Sequence, residues 1–400
     1  MTRRLLMFFQ CCLTASSFGV LSMTTTPNSG VGTTIQPPPP ARNVIHNRNV
    51  PGLKQGMDYI RLGNSPLVVS KVCMGTMTFG EQNTIQEGVD QLHRAFDHYG
   101  VNFIDTAEMY PVPTKPTTQG KTDQAVRQFI QEYTSKHPRE NIILATKVSG
   151  RSDRITWLRK QKVPTTVSKE QILESVDSSL QRLGTPYIDL LQIHWPDRYV
   201  GSMFGQPDFN PQQMIQSISS QTIPVSFEEQ LDALQQVIRQ GKVRYVGVSN
   251  ETPYGVCTMV ELAKRYPDLY PRIISIQNSY SLVVRKDFEA GLGEVCYHHN
   301  VGLLAYSPLA GGVLTGKYSD STNLPKNARL RLFPGFMDRY LGSQNEAAVN
   351  EYIAIAKQVR LLFFIFSVLI SFFFNLSLYI LSSLFTSELY SFRLELHLHN

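Results

Sequence analysis

The stretch Ser168-Lys-Glu-Gln-Ile-Leu-Glu-Ser-Val-Asp-Ser-Ser-Leu-Gln-Arg-Leu-Gly-Thr-Pro-Tyr-Ile-Asp-Leu-Leu-Gln-Ile-His194 joins a helical pattern to a short, mostly apolar run. Apolar residues recur at helical spacing from Lys169 to Leu183, and Ile188 to Ile193 has the length and composition of a buried strand. Ser168, with Gln171 three positions later, matches a capping box, and a glycine follows the last helical residue. The stretch therefore predicts a helix followed by a strand.

The same alternation of strands and helices extends from Met57 to Leu309. The other strand candidates are Lys71–Met74, Asn102–Asp105, Ile142–Ala145, Val243–Val248, Ile273–Gln277 and Val301–Ala305. Helical periodicity is also present at Val89–Tyr99, Thr122–Tyr133, Phe227–Gln240, Pro253–Arg265, Phe288–Tyr297 and Glu346–Val359. Repeated βα units of this kind predict an α/β protein with a (β/α)8 TIM barrel that lacks an obvious last βα unit. A doubly wound open sheet is the alternative, although no Gly-x-Gly-x-x-Gly motif follows the first strand.

Composition and charge indicate a globular protein and limit the kinds of ligand and partner that it is expected to bind. The chain has 400 residues, of which 42% are hydrophobic and 18% charged, as is usual for a globular core. Its net charge of +6 is small and its basic residues are scattered, so no nucleic-acid partner is predicted. The five cysteines are Cys11, Cys12, Cys73, Cys257 and Cys296. Because only the first two are close together, neither a metal site nor a disulfide framework is predicted.

The two ends of the chain differ in character from its middle. Residues 1–23 begin with two arginines and an apolar run, which resembles a signal or targeting segment; a plain leader is the alternative. Residues 24–56 are rich in Pro and Thr and predict an extended linker. The barrel is expected over 57–359. These patterns leave the cytoplasm and an organellar or secretory route as alternative locations.

The segment 360–400 is atypical of a barrel. Its apolar run, 361–385, is long enough to span a bilayer as a helix, yet it falls where the last βα unit belongs. Three explanations stay open. Phe363–Ile370 fills the empty strand position, the run is a membrane anchor, or the segment is a translated non-coding stretch that replaces the end of a longer enzyme. The abrupt change in pattern favours the third.

Four polar residues follow apolar strand candidates, where the active groups of parallel barrels lie. They are Asp105, Tyr110 on the same loop, Lys147 and His194. Each alone has an ordinary structural explanation, but together they suit reduction of a carbonyl. The reaction needs a proton donor for the developing oxyanion, and tyrosine is a donor whose proton affinity a nearby ammonium lowers. A carboxylate would keep that ammonium charged, and histidine can orient the substrate oxygen.

Ordered motifs around these residues resemble those of the aldo-keto reductase family. The tetrad lies in Asp105-Thr-Ala-Glu-Met-Tyr110, Ala145-Thr-Lys147 and Asp189-Leu-Leu-Gln-Ile-His-Trp-Pro-Asp197. Further similar segments are Gly63–Ser70, Gly75–Met77, Gly241–Asn250 and Ala305–Leu309. The loop Pro196–Val225 and the phrase Gln277–Leu282 are most similar to the branch that holds Tas-type reductases and potassium-channel β subunits.

The resemblance implies a chemistry and a set of roles. It implies hydride transfer from NADPH, with NADH as the alternative, to a small-molecule aldehyde or ketone. Tyr110 would be the general acid, tuned by Lys147 and Asp105, while His194 orients the carbonyl. A regulatory cofactor-binding role and an inactive, truncated reductase are the alternatives. The adenosine and 2′-phosphate contacts of this family are not found in the sequence after residue 359.

The resemblance also implies how the cofactor is held. Ser249, Asn250 and Gln277 would bind the nicotinamide carboxamide, Tyr306 would stack on its ring, and Asp105 would lie near its ribose. The remaining expected cofactor residues are Gly75, Thr76 and Met77 after the first strand, and Ser307, Pro308, Leu309, Gly311 and Gly312 along the pyrophosphate.

Overall fold

The computed structural model describes residues 56–201, 203–205, 208–219, 223–319 and 324–358. Apart from Gly56, the segments predicted at 1–23, 24–56 and 360–400 lie outside this part of the chain, as does the apolar run 361–385. Within the described residues, no helix is both long and apolar enough to cross a membrane.

One parallel sheet organises the described chain. Two short strands, β1 Tyr59–Arg61 and β2 Val68–Ser70, form an antiparallel hairpin ahead of it. The sheet strands are β3 Met74–Gly75, β4 Phe103–Asp105, β5 Ile143–Val148, β6 Ile188–Ile193, β7 Val243–Ser249, β8 Ile273–Ser279 and β9 Gly302–Tyr306. They lie side by side in chain order from β3 to β9, and every neighbouring pair is parallel.

The order of the strands decides between the two predicted architectures. A doubly wound sheet reverses its strand order at a switch point, whereas this order increases from β3 to β9 without reversal. Asp105 pairs with Ala145, and Val148 pairs with Ile193, so the carboxyl ends of β4, β5 and β6 lie at one edge. The predicted parallel α/β class is confirmed, and the doubly wound alternative is wrong.

Helices separate most of the sheet strands along the chain. Their bounds are α1 Ile85–His93, α2 Lys121–Thr134, α3 Lys169–Leu183, α4 Pro211–Ser219, α5 Phe227–Arg239, α6 Pro253–Arg265, α7 Lys286–Glu289, α8 Leu292–His299, α9 Arg329–Leu332 and α10 Ser343–Gln358. Strand β6 and helices α3 and α6 have the predicted bounds. The helix predicted at Phe288–Tyr297 is instead two helices, because Gly291 between them has a φ of 142° that no helix continues through.

A local cap sets the start of α3. Ser168 Oγ accepts a hydrogen bond from Gln171 N at 3.4 Å, as expected for an N-cap serine. The predicted capping box is only half formed, because the Gln171 side-chain oxygen accepts from Thr166 N at 3.0 Å. Gly184 ends the helix in the left-handed conformation, with φ of 64°.

The β1–β2 hairpin, which the sequence patterns do not predict, covers the amino ends of the strands. The hairpin and those strand ends share a buried cluster that includes Leu62, Leu67, Val69, Phe103, Ile143 and Ile274. Gly63 in the turn has φ of 55°, and an added Cβ would lie 1.9 Å from the Ile274 carbonyl oxygen. Only glycine allows this approach. The carboxyl ends of the strands are left for the polar groups.

The chain after β9 packs at the carboxyl end of the sheet. It contains two short 3-10 turns, Ala310–Thr315 and Asp338–Tyr340, and the described part of this region forms no eighth strand. Its buried side chains Ala310, Val313, Leu314, Met337, Tyr340 and Val349 form a cluster with Leu282, which follows β8. The Tyr340 hydroxyl lies 3.1 Å from Ser279 Oγ at the end of β8, which fixes this segment beside the polar face.

Candidate active site

The structure brings the four predicted chemical residues together at the carboxyl ends of β4, β5 and β6. Lys147 Nζ donates to Asp105 Oδ2 at 2.5 Å and to the Thr106 carbonyl oxygen at 2.9 Å. It also lies 3.5 Å from the Tyr110 hydroxyl. The rings of Tyr110 and His194 meet edge to face, with centroids 5.7 Å apart. The four side chains therefore share one site, although they are up to 89 positions apart in the sequence (194 − 105).

Lys147 is completely buried and remains charged. Burial alone would lower the pKa of its ammonium, but the neighbouring Asp105 carboxylate and Tyr110 hydroxyl outweigh burial and raise it above the usual value. A buried ammonium that donates to a carboxylate is held in one place and one charge state. Lys147 is therefore a fixed positive charge beside the Tyr110 hydroxyl.

Tyr110 is held in its protonated form. Burial raises the pKa of its phenol, and the charge of Lys147 opposes that shift without cancelling it. The Lys147 ammonium does lower the proton affinity of Tyr110, as expected. Burial has the larger effect, so the pKa of Tyr110 is raised overall. A phenol with a raised pKa carries its proton at neutral pH, which is the state that a proton donor requires.

His194 is a neutral imidazole. It is buried, its Nδ1 has no hydrogen-bond partner among the described residues, and burial together with the nearby Lys147 charge lowers its pKa well below the usual value. Asn250 Nδ2 donates to the His194 carbonyl oxygen at 2.9 Å and fixes the backbone there. A neutral ring with an unused buried nitrogen can hydrogen-bond a substrate oxygen without adding charge.

The neutral state of His194 predicts how stability depends on pH. In the unfolded chain this histidine takes up a proton as the pH falls through about 6.5, whereas in the folded chain it does not until a lower pH. The free energy of unfolding should therefore fall by about 1 kcal/mol more between pH 6.5 and 5.5 than it does in His194→Gln. Urea denaturation at several pH values measures both slopes. Equal slopes would show that His194 is not held neutral.

A buried ion pair supports the Tyr110 loop and was not predicted. Arg159 Nη1 and Nη2 donate to the two carboxylate oxygens of Glu108 at 2.8 and 3.0 Å, and both side chains are almost fully buried. Ser149 N and Ser175 Oγ also donate to this carboxylate, each at 2.7 Å. Burial raises the pKa of Glu108, but the Arg159 charge and these donors lower it overall.

Glu108 lies two residues before Tyr110, and Ser149 two residues after Lys147. The Glu108 carboxylate, through its bond from Ser149 N, therefore joins the loop that carries the phenol to the end of the strand that carries the ammonium. The only sequence signal for it is the glutamate inside Asp105–Tyr110, because Arg159 lies 51 residues away in a loop without periodicity.

The residues predicted to hold the nicotinamide end also converge. Gln277 Nε2 donates to Asp105 Oδ1 at 2.8 Å, and Ser249 Oγ donates to the Gln277 carbonyl oxygen at 2.7 Å. The Tyr306 hydroxyl donates to Asn250 Oδ1 at 2.6 Å. These polar groups thus form one connected network around the tetrad.

Two further contacts extend that network on its other side. Thr76 Oγ1 donates to the Asp105 carbonyl oxygen at 2.9 Å, and its neighbour Gly75 pairs with Asp105 across β3 and β4. The Met77 carbonyl oxygen accepts from Val112 N at 2.9 Å. The predicted trio Gly75, Thr76 and Met77 therefore lies against the loops of Asp105 and Tyr110.

The loop after β9 has an unusual backbone, with four residues in the left-handed region. Ser307, Ala310, Gly311 and Gly312 all have positive φ, with values of 54°, 49°, 67° and 101°. Pro308 and Leu309 complete the predicted segment. An added Cβ on Gly312 would lie 2.9 Å from Lys317 Nζ, so the ammonium lies directly beside this glycine.

Lys317 and Arg329 form a cationic pair at this loop that the sequence patterns did not reveal. Burial, followed by the repulsion of Arg329, lowers the pKa of Lys317, and burial likewise lowers that of Arg329. Arg329 Nε donates to Gln82 Oε1 at 3.1 Å, and neither cation pairs with a carboxylate of the described residues. Two adjacent positive charges of this kind favour a bound anion such as a phosphate.

Comparison with known proteins places this geometry in a family. The family model described as "Aldo/keto reductase family" matches residues 71–382. The chain belongs to the aldo/keto reductase family. The predicted (β/α)8 barrel and the predicted carbonyl oxidoreductase function are thereby confirmed, and the family match continues past residue 359, where the motif resemblance ends.

Several aldo-keto reductase relatives are similar over most of the chain. The protein tas of Escherichia coli (strain K12) is 44% identical over 303 residues, which cover 76% of this chain and 82% of that protein. An aldo-keto reductase of Babesia bovis is 45% identical over 223 residues, or 55% of this chain and 76% of its own.

A more distant relative is described as a channel subunit and not as a reductase. A protein of Arabidopsis thaliana, described as a probable voltage-gated potassium channel subunit beta, is 29% identical over 298 residues, covering 74% of this chain and 76% of its own. Together with the tas protein it confirms the predicted branch of the aldo-keto reductases.

Proposed function

We propose that this aldo-keto reductase reduces a small aldehyde or ketone with NADPH, using Tyr110 as the proton donor. The observation that carries the proposal is the position of a protonated phenol 3.5 Å from the buried, charged Lys147, at the carboxyl ends of parallel strands. This is the place in a parallel barrel where active groups collect.

The residues of the chain supply every proton and charge that the reduction of a carbonyl needs. A bound, reduced nicotinamide supplies the hydride. Neutral His194 hydrogen-bonds the carbonyl oxygen and aims it at Tyr110. As negative charge develops on that oxygen, the Tyr110 hydroxyl donates its proton. The Lys147 ammonium stabilises the phenolate left behind, and Asp105 keeps Lys147 charged and in place.

The proposed cofactor site uses the groups that face the tetrad. Ser249, Asn250 and Gln277 would hold the nicotinamide carboxamide, and Tyr306 would lie against its ring. Asp105 would lie near the nicotinamide ribose. The trio Gly75, Thr76 and Met77 would line the same site, and Ser307, Pro308, Leu309, Gly311 and Gly312 would follow the pyrophosphate. The uncompensated charge of Lys317 beside Gly312, and that of Arg329 within electrostatic reach of Lys317, support this fit.

Those two cations support a cofactor that carries phosphates, and NADPH would gain more from them than NADH because it carries the larger number. NADPH carries one phosphate more than NADH, and each added anionic oxygen near a partly buried cation contributes a charge-assisted hydrogen bond. Burial makes this interaction stronger than it would be in water. We therefore assign Lys317 and Arg329 to the phosphates of the cofactor.

Replacing Lys317 by Met should weaken NADPH binding by about tenfold or more, because a hydrogen bond to a charged group contributes about 1.5–3 kcal/mol. Titration of the purified chain with NADPH and NADH, followed by tryptophan fluorescence, measures both dissociation constants. Lys264→Met is the matched control, since Lys264 is an exposed lysine on α6. An unchanged NADPH constant would remove Lys317 from the phosphate site, and a wild-type chain that binds neither nucleotide would overturn the proposed function.

A regulatory, cofactor-binding role is the rival proposal. It rests on the name of the Arabidopsis relative, and no contact among the described residues favours it. The complete tetrad, in which Lys147 contacts both Asp105 and Tyr110, supports catalysis.

A further inference from the structure

Residues 333–340 lie across the carboxyl face between the tetrad and the loop after β9. Phe336 packs against the buried cluster of Ala107, Tyr110 and Val112. Four residues later, Tyr340 packs against Gly311 and contacts Ser279 at the end of β8. Arg339 is thus placed over the same face as the Tyr110 hydroxyl.

The Arg339 side chain is fixed by aromatic rings and remains half-buried. Its guanidinium carbon lies 4.6 Å from the centre of the Tyr340 ring and 5.9 Å from that of Phe204. Arg339 Nη2 donates to the Tyr340 hydroxyl at 3.2 Å. One edge of the guanidinium is therefore held, while no other described side chain accepts from its remaining donors.

The rings beside Arg339 lead back to the tetrad. Phe204 meets Trp195 edge to face at 6.4 Å, and Trp195 lies 4.9 Å from His194. His194 in turn meets Tyr110 at 5.7 Å. These rings form one continuous wall from the proton donor to Arg339. A flat, apolar substrate lying on that wall would extend from the tetrad toward the guanidinium.

The charge of Arg339 is unbalanced, in contrast to its neighbours on the carboxyl face. Arg151 pairs with Asp197, Arg159 with Glu108 and Arg198 with Glu251, each at 2.6–2.8 Å. No carboxylate of the described residues lies within ion-pair distance of Arg339. The Arg339 charge also acts on the phenol of Tyr306. Burial raises the pKa of that phenol, and the positive charge of Arg339 opposes the rise. Its guanidinium therefore lies within electrostatic reach of the Tyr306 phenol.

We propose that Arg339 binds an anionic group on the substrate, so that the preferred substrates are aldehydes or ketones that also carry a carboxylate. This inference rests on the proposed reductase function and adds a substrate class to it. A guanidinium matches a carboxylate with two parallel hydrogen bonds, and a half-buried position strengthens them. The cofactor is a second source of anionic groups, which the test below separates from the substrate.

The experiment compares 4-carboxybenzaldehyde with its methyl ester, which has the same ring and aldehyde but no charge. With saturating NADPH, the wild-type chain should have a kcat/KM for the acid at least about tenfold above that for the ester. Arg339→Gln should lower kcat/KM for the acid by about 30-fold, since the lost bonds are charge-assisted, and leave that for the ester within about twofold. Arg339→Lys should retain part of the preference for the acid, because lysine keeps the positive charge but cannot form the two parallel hydrogen bonds.

A binding measurement with a ligand that can be neither oxidised nor reduced gives the same contrast without turnover. The dissociation constant of 4-carbamoylbenzoate, measured by quenching of tryptophan fluorescence in the presence of NADP+, should be about 30-fold larger in Arg339→Gln than in the wild type. The matched control is Arg331→Gln, because Arg331 is an exposed arginine on α9, just before this segment, and is hydrogen-bonded to the Leu324 carbonyl oxygen. The control should bind like the wild type.

Each other outcome overturns the inference in a different way. Equal losses for acid and ester in Arg339→Gln would make the residue a structural one. A weakened NADPH dissociation constant in that variant would assign the anion to the cofactor. A wild-type preference for the ester would exclude an acidic substrate. If the wild type reduces neither aldehyde and binds no nucleotide, the proposed function fails and this inference falls with it.

Discussion

Tyr110→Phe should reduce kcat for carbonyl reduction by about 10³-fold, because a positioned general acid contributes about 10²–10⁴-fold and phenylalanine cannot donate a proton. The ring would still pack against Ala107 and Val112, so the fold and the cofactor site should be unchanged. The loss should therefore appear in kcat, with the dissociation constant for NADPH within about twofold of the wild type. Initial rates of NADPH oxidation with an aldehyde panel measure the first quantity, and fluorescence titration measures the second.

Tyr99→Phe is the control for this variant, since Tyr99 is an exposed tyrosine that lacks any contact with the tetrad. It should retain wild-type turnover. If Tyr110→Phe retained more than a fifth or so of the wild-type kcat, the proton would come from another group and the assigned role would be wrong. Loss of NADPH binding in that variant would instead mark Tyr110 as part of the cofactor site.

Arg159→Met should lower the free energy of unfolding by about 3–5 kcal/mol, because it leaves the Glu108 carboxylate buried without its counter-charge. The geometry predicts a loss at the upper end, since both carboxylate oxygens are bonded to the guanidinium. Urea denaturation measures the loss directly. The pKa of Glu108 is lowered in the folded chain, so the stability that it contributes is present above the unfolded pKa of about 4.5 and is lost as the pH falls through the folded value.

Lys264→Met provides the comparison, because Lys264 pairs with Glu261 at the surface, where both side chains are more than half exposed. It should cost less than about 1 kcal/mol. Adding Glu108→Gln to Arg159→Met should recover part of the loss, since it removes the unpaired charge but keeps an acceptor for Ser149 N. Similar small losses in both lysine and arginine variants would show that the buried pair does not stabilise the Tyr110 loop.

The tetrad was predictable because strands of a parallel barrel direct their carboxyl ends to one face. The spacing of apolar residues and the lengths of the apolar runs were enough to predict β6 and α3. The polar residue at the end of each apolar run then indicated Asp105, Lys147 and His194. Tyr110 required the additional step of chemical matching. No knowledge of distances was needed, since the register of parallel strands brings those ends together.

Other parts of the site could not be predicted, because they depend on segments without a periodic pattern. Arg159, Lys317, Arg329 and Arg339 lie in loops, in turns or in the four-residue helix α9, where the spacing of residues says nothing about which face they occupy. The β1–β2 hairpin has only three residues in each strand, too few to alternate recognisably. The predicted helix Phe288–Tyr297 is interrupted at Gly291, whose φ of 142° is open to glycine but is not helical.

The hydrogen bonds of Asp105 connect reactivity to the integrity of the sheet. This carboxylate on β4 accepts from Lys147 on β5, from Gln192 on β6 at 3.1 Å and from Gln277 on β8 at 2.8 Å. The Asp105 carboxylate thereby connects side chains of four strands by hydrogen bonds, and it also keeps Lys147 charged. A mutation at Asp105 would impair folding and turnover at once, so the two traits cannot be optimised separately there. The substrate contact that we propose for Arg339 lies on a segment outside the sheet, so a change there would alter the preferred substrate without disturbing these strands.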